Sequence, residues 1–146
     1  LYTLPGIPSI YYGSEWGIEG RKEGGNDDPL RPALNLAEME EKYKDCQLTE
    51  HIRMLGRLKK ELSPLSEGKY RELFLTNRQY AFARIQDDKA VIVAVNNDEN
   101  PAHVSIPVPA GGNAVNAVTG EPVNVENGRI NAELSPAGSL IVSVNI

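Results

Sequence analysis

The chain is poor in the residues that build disulfides and metal centres. Its 146 residues include a single cysteine, Cys46, and two histidines, His51 and His103. A lone cysteine excludes a disulfide within the chain, so the fold must depend on its hydrophobic core. The two histidines lack the spacing of metal ligands. We therefore expect no metal and no other cofactor.

Positive charge and long apolar runs are also scarce. The sequence has 15 Lys and Arg against 20 Asp and Glu, a net charge of −5, which disfavours nucleic acid and anionic membrane surfaces as partners. No apolar run approaches the roughly 20 residues that span a bilayer. Gly24 and Gly25 are not followed by the Gly-Lys-Ser/Thr of a phosphate loop, and Ser14 lacks the frame of a catalytic nucleophile. The composition, 40% hydrophobic and 24% charged, is that of a globular protein.

The first residues combine a short apolar run with a long polar segment. Residues 7–12, with the sequence IPSIYY, are bounded by proline and glycine, which predicts a buried strand. Residues 13–32 are rich in glycine and charged side chains, as in a loop. Loops of this length are uncommon without a function. The pattern is typical of a strand that delivers a loop to a site.

A helical pattern follows the loop. One apolar stripe recurs at spacings of three and four residues, which predicts a helix over residues 48–62. Thr49 is the expected N-cap, and Ser63-Pro64 the expected end. A shorter helix is expected over residues 37–44. The residues of the stripe are Leu48, Ile52, Leu55, Leu58 and Leu62.

The rest of the sequence consists of short β-rich runs. Turn signals such as Asp87-Asp88, Gly111-Gly112 and Asn127-Gly128 separate them, and Asn127-Gly128 predicts a type I′ hairpin between residues 123–125 and 130–132. Strands at this spacing indicate an antiparallel sandwich or barrel. We expect two domains, residues 1–66 and residues 67–146. The runs are 70–75, 79–85, 90–96, 103–108, 114–118, 123–126, 129–134 and 139–144.

Asp27 and Arg31 are the strongest candidates for binding a ligand. They lie four residues apart in the predicted loop, beside Asp28. A carboxylate and a guanidinium at this spacing can hold the paired hydroxyls of a sugar, or they can pair with each other and fix the loop. Glu15 has no partner base nearby in the sequence, which favours a role in ordering its loop over general acid catalysis.

These segments resemble the alpha-amylase family, glycoside hydrolase family 13. Residues 6–15, GIPSIYYGSE, resemble the motif G-x-P-x-I-Y-Y-G-x-E of the family's eighth barrel strand. Residues 24–32, GGNDDPLRP, resemble a loop of its neopullulanase/cyclomaltodextrinase-like branch. Within the strand motif, Ser14 stands where many members have Asp. The later runs, with Asn96-Asn97 and Thr119-Gly120, resemble the C-terminal β-sandwich.

The resemblance implies a fold that is mainly β overall. Residues 1–66 are expected to be the last βα unit of a (β/α)8 TIM barrel, with strand 8, the site loop and the last helices. Residues 67–146 are expected to be an all-β antiparallel C-terminal sandwich. A barrel closes only with all eight strands, so residues 7–12 would leave two unpaired edges. Such edges promote self-association, so we expect this segment to pair with a neighbouring molecule, to dock on the sandwich or to be poorly ordered.

The resemblance also implies a function. Family members hydrolyse or transfer α-glucosidic bonds by a retaining mechanism, with their catalytic carboxyls on barrel strands four, five and seven. None of those strands is present, so we expect the C-terminal fragment of an α-glycosidase, inactive in isolation, with no catalytic residue of its own. Asp27 and Arg31 match the residues that hold a glucose unit of an α-glucan oligosaccharide. The alternative is a non-catalytic carbohydrate-binding or structural β-sandwich module.

Overall fold

The chain is mainly β, with three helices placed before the first strand. A computed structural model describes residues 1–109 and 112–146, so the turn expected at Gly111-Gly112 lies partly outside the described residues. The helices are α1 (Leu36–Lys42), α2 (Gln47–Glu61) and α3 (Ser63–Glu67). The strands are β1 (Lys69–Leu75), β2 (Gln79–Gln86), β3 (Lys89–Asn96), β4 (Ala102–Pro107), β5 (Ala114–Asn116), β6 (Pro122–Val123), β7 (Arg129–Leu134) and β8 (Ser139–Asn145).

The described residues form two compact units. The first, called here the sandwich unit, comprises Leu1–Gly6 and Arg57–Ile146. The second, the loop–helix unit, comprises Ile7–Gly56. No helix in the described ranges is long and apolar enough to cross a membrane.

The sandwich unit is built from two antiparallel sheets. The larger sheet has the strand order β1-β2-β3-β8-β5-β6, and the smaller pairs β4 with β7. Every strand pairing within the two sheets is antiparallel. The sequence prediction of an antiparallel sandwich is therefore confirmed, and all eight predicted runs contain a strand.

The core lies between the two sheets and consists of small and branched side chains. In β2, Ala81 and Ala83 face this core, while Phe82 and Arg84 point to the opposite face, as the period of two in a strand requires. Both sheets contribute, so burial of this cluster is what joins them. The fully buried members are Ala81, Ala83, Ala90, Ile92, Ala94, Val104, Ile106, Ala114, Ile130, Leu134, Val142 and Val144.

Strand β3 lacks the alternation of buried and exposed residues that is expected when one face of a sheet is open to solvent. Residues from Ala90 to Ala94 are all buried, so this strand is covered on both sides. Helix α3 lies against β2 and β3, and its Leu65 is fully buried. The run AVIVA in the sequence thus reflects a central strand that has the sandwich core on one side and a helix on the other.

The Asn127-Gly128 turn is confirmed, but the hairpin around it is only partly formed. Asn127 and Gly128 have φ of 52° and 72°, as a type I′ turn requires, and the turn closes a single bridge between Glu126 and Arg129. The preceding strand β6 pairs with β5, whereas β7 pairs with β4. The predicted hairpin is wrong beyond the turn, because the two strands that it connects belong to different sheets.

The helices agree with the sequence pattern except at their starts. Helix α1 is confirmed, and Asn35 caps it by accepting a hydrogen bond from the Glu38 N–H. Helix α2 begins at Gln47, so Thr49 lies inside its first turn and is not the N-cap. Pro64 ends α2 as predicted, and it also starts α3, a position where proline lacks only an N–H that has no helical partner.

The strand predicted over residues 7–12 is wrong for this chain. Among the described residues no strand pairing includes this segment, and the side chain of Ile7 is 95% exposed. A strand is stabilised by hydrogen bonds to a neighbouring strand, and these residues have no such neighbour. Pro8 lacks an N–H, and Gly6 has a φ of 106°, so the local sequence does not favour extended pairing either.

Candidate functional site

The candidate site is the loop of residues 13–32 in the loop–helix unit, which begins with a single helical turn. Gly13 and Gly17, with φ of 88° and 69°, bracket a 3-10 helix over Ser14–Trp16. At Gly13 an added Cβ would lie 3.4 Å from Leu34 and 3.5 Å from Ile18, and a side chain at this φ would also be strained. Glycine is therefore required where the chain turns into the loop.

A side-chain contact that the sequence did not indicate anchors this first turn. The carbonyl oxygen of Glu15 accepts a hydrogen bond of 2.7 Å from the hydroxyl of Thr49, and the thiol of Cys46 lies 3.9 Å away. Thr49, predicted as a helix cap, instead ties α2 to the loop. Glu15 acts here through its backbone, in line with the expectation that it orders its loop. The Thr49 backbone N–H also holds the pKa of the Cys46 thiol below its usual value, and the Thr49 side chain adds to this effect.

The second part of the loop positions Asp27 and Arg31. Gly24 and Gly25 have φ of 53° and 86° and form a tight turn that closes a bridge between Glu23 and Asn26. The Asn26 side chain then accepts a 3.0 Å hydrogen bond from the Asp28 N–H. A 3-10 helix over Asp28–Leu30 follows directly.

Asp27 and Arg31 flank this 3-10 helix, one residue before and one after it. The carboxylate of Asp27 pairs with Lys22 at 2.8 Å. Within the described residues Asp27 forms no ion pair with Arg31, so the alternative in which these two side chains neutralise each other is not realised. Both residues keep solvent access: 47% of the Asp27 side chain is exposed, and Arg31 is exposed as well.

Two exposed tyrosines precede this loop. The rings of Tyr11 and Tyr12 are 4.8 Å apart between centroids, at 43°, and the two residues are 56% and 46% exposed. Desolvation and the hydrogen bond with Tyr11 hold the pKa of Tyr12 above its usual value, against the opposing positive charge of Arg31. The positive charge of Arg31 therefore acts on the hydroxyl of Tyr12. These tyrosines do not lie in a core, as aromatic residues of a buried strand would.

The arrangement offers the groups that bind neutral sugars. A carboxylate accepts hydrogen bonds from hydroxyls, a guanidinium donates to them, and exposed aromatic rings present apolar faces. The spacing of Asp27 and Arg31 was visible in the sequence. The ion pair between Asp27 and Lys22 was not visible there, because it depends on how the loop folds.

No metal site accompanies this loop. Within residues 1–109 and 112–146 no three His, Cys, Asp or Glu side chains are grouped so that they could hold a metal ion. His103 lies on β4, where its Nε2 is 3.1 Å from Glu133 on the neighbouring strand. This surface pair is a cross-strand contact of the small sheet.

Comparison with known proteins gives consistent matches. The family model described as "Neopullulanase-like, C-terminal domain" matches residues 70–143. Neopullulanase 2 of Thermoactinomyces vulgaris is 32% identical over 144 residues, which cover 96% of this chain and 23% of that protein. A cyclomaltodextrinase of Geobacillus thermopakistaniensis is 29% identical over 97% of this chain and 24% of its own length.

A solved structure agrees on the fold. The alpha-amylase of Anoxybacillus superposes with a TM-score of 0.82 at 23% identity, over 99% of this chain and 30% of that one. The chain spans about a quarter of the length of the two curated relatives.

Proposed function

Because the chain belongs to the alpha-amylase family, in its neopullulanase-like branch, we propose that it works as the C-terminal portion of an α-glycosidase. The enzyme would act on α-glucan oligosaccharides of the starch or cyclodextrin type. The match of the C-terminal domain model to residues 70–143 carries this proposal. The names of the two relatives, a neopullulanase and a cyclomaltodextrinase, support the substrate class.

In this proposal the chemistry is done by residues outside this chain. Retaining glycosidases need a carboxylate nucleophile and a carboxylic acid about 5 Å apart across the scissile bond. The family resemblance assigns these groups to barrel strands four, five and seven, and this chain corresponds to about a quarter of its relatives. The chain by itself would therefore cleave no glycosidic bond.

Residues 1–66 would supply the last βα unit of the barrel and residues 67–146 the sandwich. The motif in residues 6–15 supports the first assignment, and residues 7–12 would become a strand only beside neighbouring barrel strands, because an isolated strand has no hydrogen-bond partners. In the chain alone, the exposed Ile7, Tyr11 and Tyr12 would be the segment through which two copies associate.

The role we propose for Asp27 and Arg31 is to hold one glucose unit of the substrate. The Asp27 carboxylate would accept hydrogen bonds from two adjacent hydroxyls, and the Arg31 guanidinium would donate to a hydroxyl or ring oxygen. Lys22 keeps the Asp27 carboxylate in place.

We test this role in a chimera in which the chain replaces the matching C-terminal quarter of Neopullulanase 2. Asp27→Asn and Arg31→Met are each expected to raise KM for maltotriose about tenfold, because each removes a charged hydrogen bond to substrate. The value of kcat should change less, since binding away from the reacting bond contributes mainly to KM. Steady-state kinetics of the purified chimera measures both.

The matched control is Asp28→Asn. Asp28 is the adjacent, exposed carboxylate, and only its backbone N–H takes part in the hydrogen bond to Asn26. This variant should leave KM within about twofold of the parent chimera. A large increase in KM for Asp28→Asn, with none for Asp27→Asn, would show that the sugar contact belongs to the neighbouring carboxylate.

A further inference from the structure

One end of the sandwich unit carries a cavity that the proposed function does not use. It is an open depression with a volume of about 670 Å³, and all of its lining residues except the half-buried Asp98 are exposed. Three connections form it: the β1–β2 turn, the β3–β4 loop and the β7–β8 turn. The lining residues are Arg78, Asn97, Asp98, Glu99, Asn100, Pro136 and Ala137.

A buried amide fixes the walls of this cavity. Asn96, 2% exposed, donates from Nδ2 to the carbonyls of Asn100 at 2.9 Å and Ser135 at 3.0 Å. Its Oδ1 accepts from Gln79 Nε2 at 2.9 Å and from the Asp98 N–H at 3.2 Å. One side chain thus joins β2, the β3–β4 loop and the β7–β8 turn. The Asn96-Asn97 motif therefore has a structural role at this cavity.

Backbone hydrogen bonds hold the same three connections together. The Asn97 N–H donates to the Arg78 carbonyl at 2.7 Å, and the Ala137 N–H donates to the Asp98 carbonyl at 3.0 Å. The backbone of the lining loops is consequently held in place before any ligand arrives, whereas the side chains of Arg78 and Glu99 are exposed. A site that is already formed loses less conformational entropy on binding.

The cavity presents charges of both signs together with amides. Within the described residues the Arg78 guanidinium makes a single long hydrogen bond of 3.5 Å from Nη1 to the Asn97 carbonyl, and Glu99 forms no ion pair there. Hydrogen bonds from the Asn100 backbone and side chain hold the pKa of Asp98 below its usual value, so this carboxylate is ionised at neutral pH. Donors and acceptors are both available.

This chemistry narrows the class of ligand. Two carboxylates against one guanidinium disfavour a phosphorylated or otherwise anionic ligand. No aromatic ring lines the cavity, so a nucleobase would have nothing to stack on. No group of three acidic, histidine or cysteine side chains in the described part of the chain could hold a metal ion. A neutral polyhydroxyl ligand fits, because each hydroxyl both donates and accepts.

We propose that this cavity is a second carbohydrate-binding site, on the sandwich, which takes a neutral oligosaccharide through its hydroxyl groups. The choice of an α-glucan as the oligosaccharide rests on the proposed function. Binding would hold a polymeric or oligomeric substrate on the enzyme away from the bond that is cleaved. With no aromatic platform, the affinity for one short oligosaccharide is expected to be in the millimolar range.

The test is an NMR titration of the ¹⁵N-labelled full chain with maltotriose. The amide signals of residues 97–100 and 136–137 should shift together and saturate at millimolar concentrations. Arg78→Met and Glu99→Gln should each weaken this binding about tenfold, because each removes a charged hydrogen-bonding group. Arg71→Met and Glu72→Gln, on the exposed strand β1, are the matched controls and should leave the dissociation constant unchanged.

Three outcomes would overturn the proposal. The first is that maltotriose causes no saturable chemical-shift changes at the cavity. The second is that these chemical-shift changes are equal for the parent chain and both cavity variants. The third is that calcium chloride shifts the amide signals of the cavity and maltotriose does not. The Asp27/Arg31 loop gives separate signals in the same spectra. Cleavage by the chimera does not depend on this cavity, so a failed titration would leave the proposed function standing.

Discussion

Replacing Arg84 with methionine is expected to destabilise the sandwich unit by about 2–4 kcal/mol. Arg84 is 2% exposed, and its guanidinium donates to backbone carbonyls only. Nε and Nη2 donate to Gly68 at 3.1 and 2.9 Å, and Nη1 donates to Leu65 at 2.9 Å and Thr3 at 3.2 Å. Methionine fills a similar volume but leaves these oxygens without their donors.

The sign of this effect depends on two opposing terms. Burial disfavours the charged guanidinium, and it lowers the pKa of Arg84, so removing the charge recovers some free energy. Against this, each buried carbonyl that loses its partner costs about 1–3 kcal/mol. Lys59 also donates to the Leu65 carbonyl, at 3.1 Å, so that oxygen keeps one partner. The Gly68 and Thr3 carbonyls receive no hydrogen bond from Lys59. The free-energy cost of losing their hydrogen bonds to Arg84 should exceed the free energy that is recovered by removing the buried charge.

Urea denaturation of the full chain followed by circular dichroism measures the effect. Arg84→Lys should be intermediate, because one ammonium group keeps the charge but cannot reproduce the planar guanidinium contacts. Arg71→Met, an exposed position on β1, is the control and should change the free energy of unfolding by less than about 0.5 kcal/mol. An Arg84→Met variant as stable as the parent would mean that the cost of burying the charge cancels the hydrogen bonds.

Replacing Asn96 with alanine should cost about 2–3 kcal/mol and loosen one end of the sandwich unit. The substitution removes the amide that serves Gln79, Asp98, Asn100 and Ser135. Asn96→Asp keeps the size but loses the two N–H donors and places a negative charge beside the Asn100 and Ser135 carbonyls. It should therefore be at least as destabilising as alanine.

Hydrogen exchange of the backbone amides locates this effect. Loss of protection should concentrate at residues 96–100 and 135–138, next to the substituted side chain. Asn97→Ala is the matched control, since the Asn97 side chain makes no hydrogen bond among the described residues and only its backbone N–H and carbonyl are used. Equal stability of the Asn96→Ala and Asn97→Ala variants would contradict the role given to the buried amide.

The strands of the sandwich could be predicted from sequence because their limits are set locally. Asp87 and Asn127 adopt positive φ in tight turns, and the residues between turns are β-branched or small. The pairing could not be predicted, because strands adjacent in sequence, such as β6 and β7, belong to different sheets. Residues 7–12 show the converse case, since their composition is that of a strand but strand formation needs a partner.

The structural roles of Arg84 and Asn96, the residues with the largest expected effects, could not be predicted from the sequence, although Asn96-Asn97 contributed to the family resemblance. Arg84 occupies an alternating position of β2 that would normally face solvent, and only the cover provided by α3 makes it buried. Asn96 follows a strand, where asparagine ordinarily signals a turn. At the candidate site, the spacing of Asp27 and Arg31 allowed sugar binding or mutual pairing, and the family resemblance favoured sugar binding. The ion pair of Asp27 with Lys22 could be seen only in the folded loop.

The central claim is that this chain completes an α-glycosidase whose catalytic carboxyls lie outside it. Release of reducing sugar from a cyclodextrin tests this most directly, for the chimera, for Neopullulanase 2 without its C-terminal quarter, and for the chain alone. We predict turnover by the chimera only. Turnover by the chain alone, or a folded chimera that cleaves no cyclodextrin, maltodextrin or pullulan, would contradict the claim.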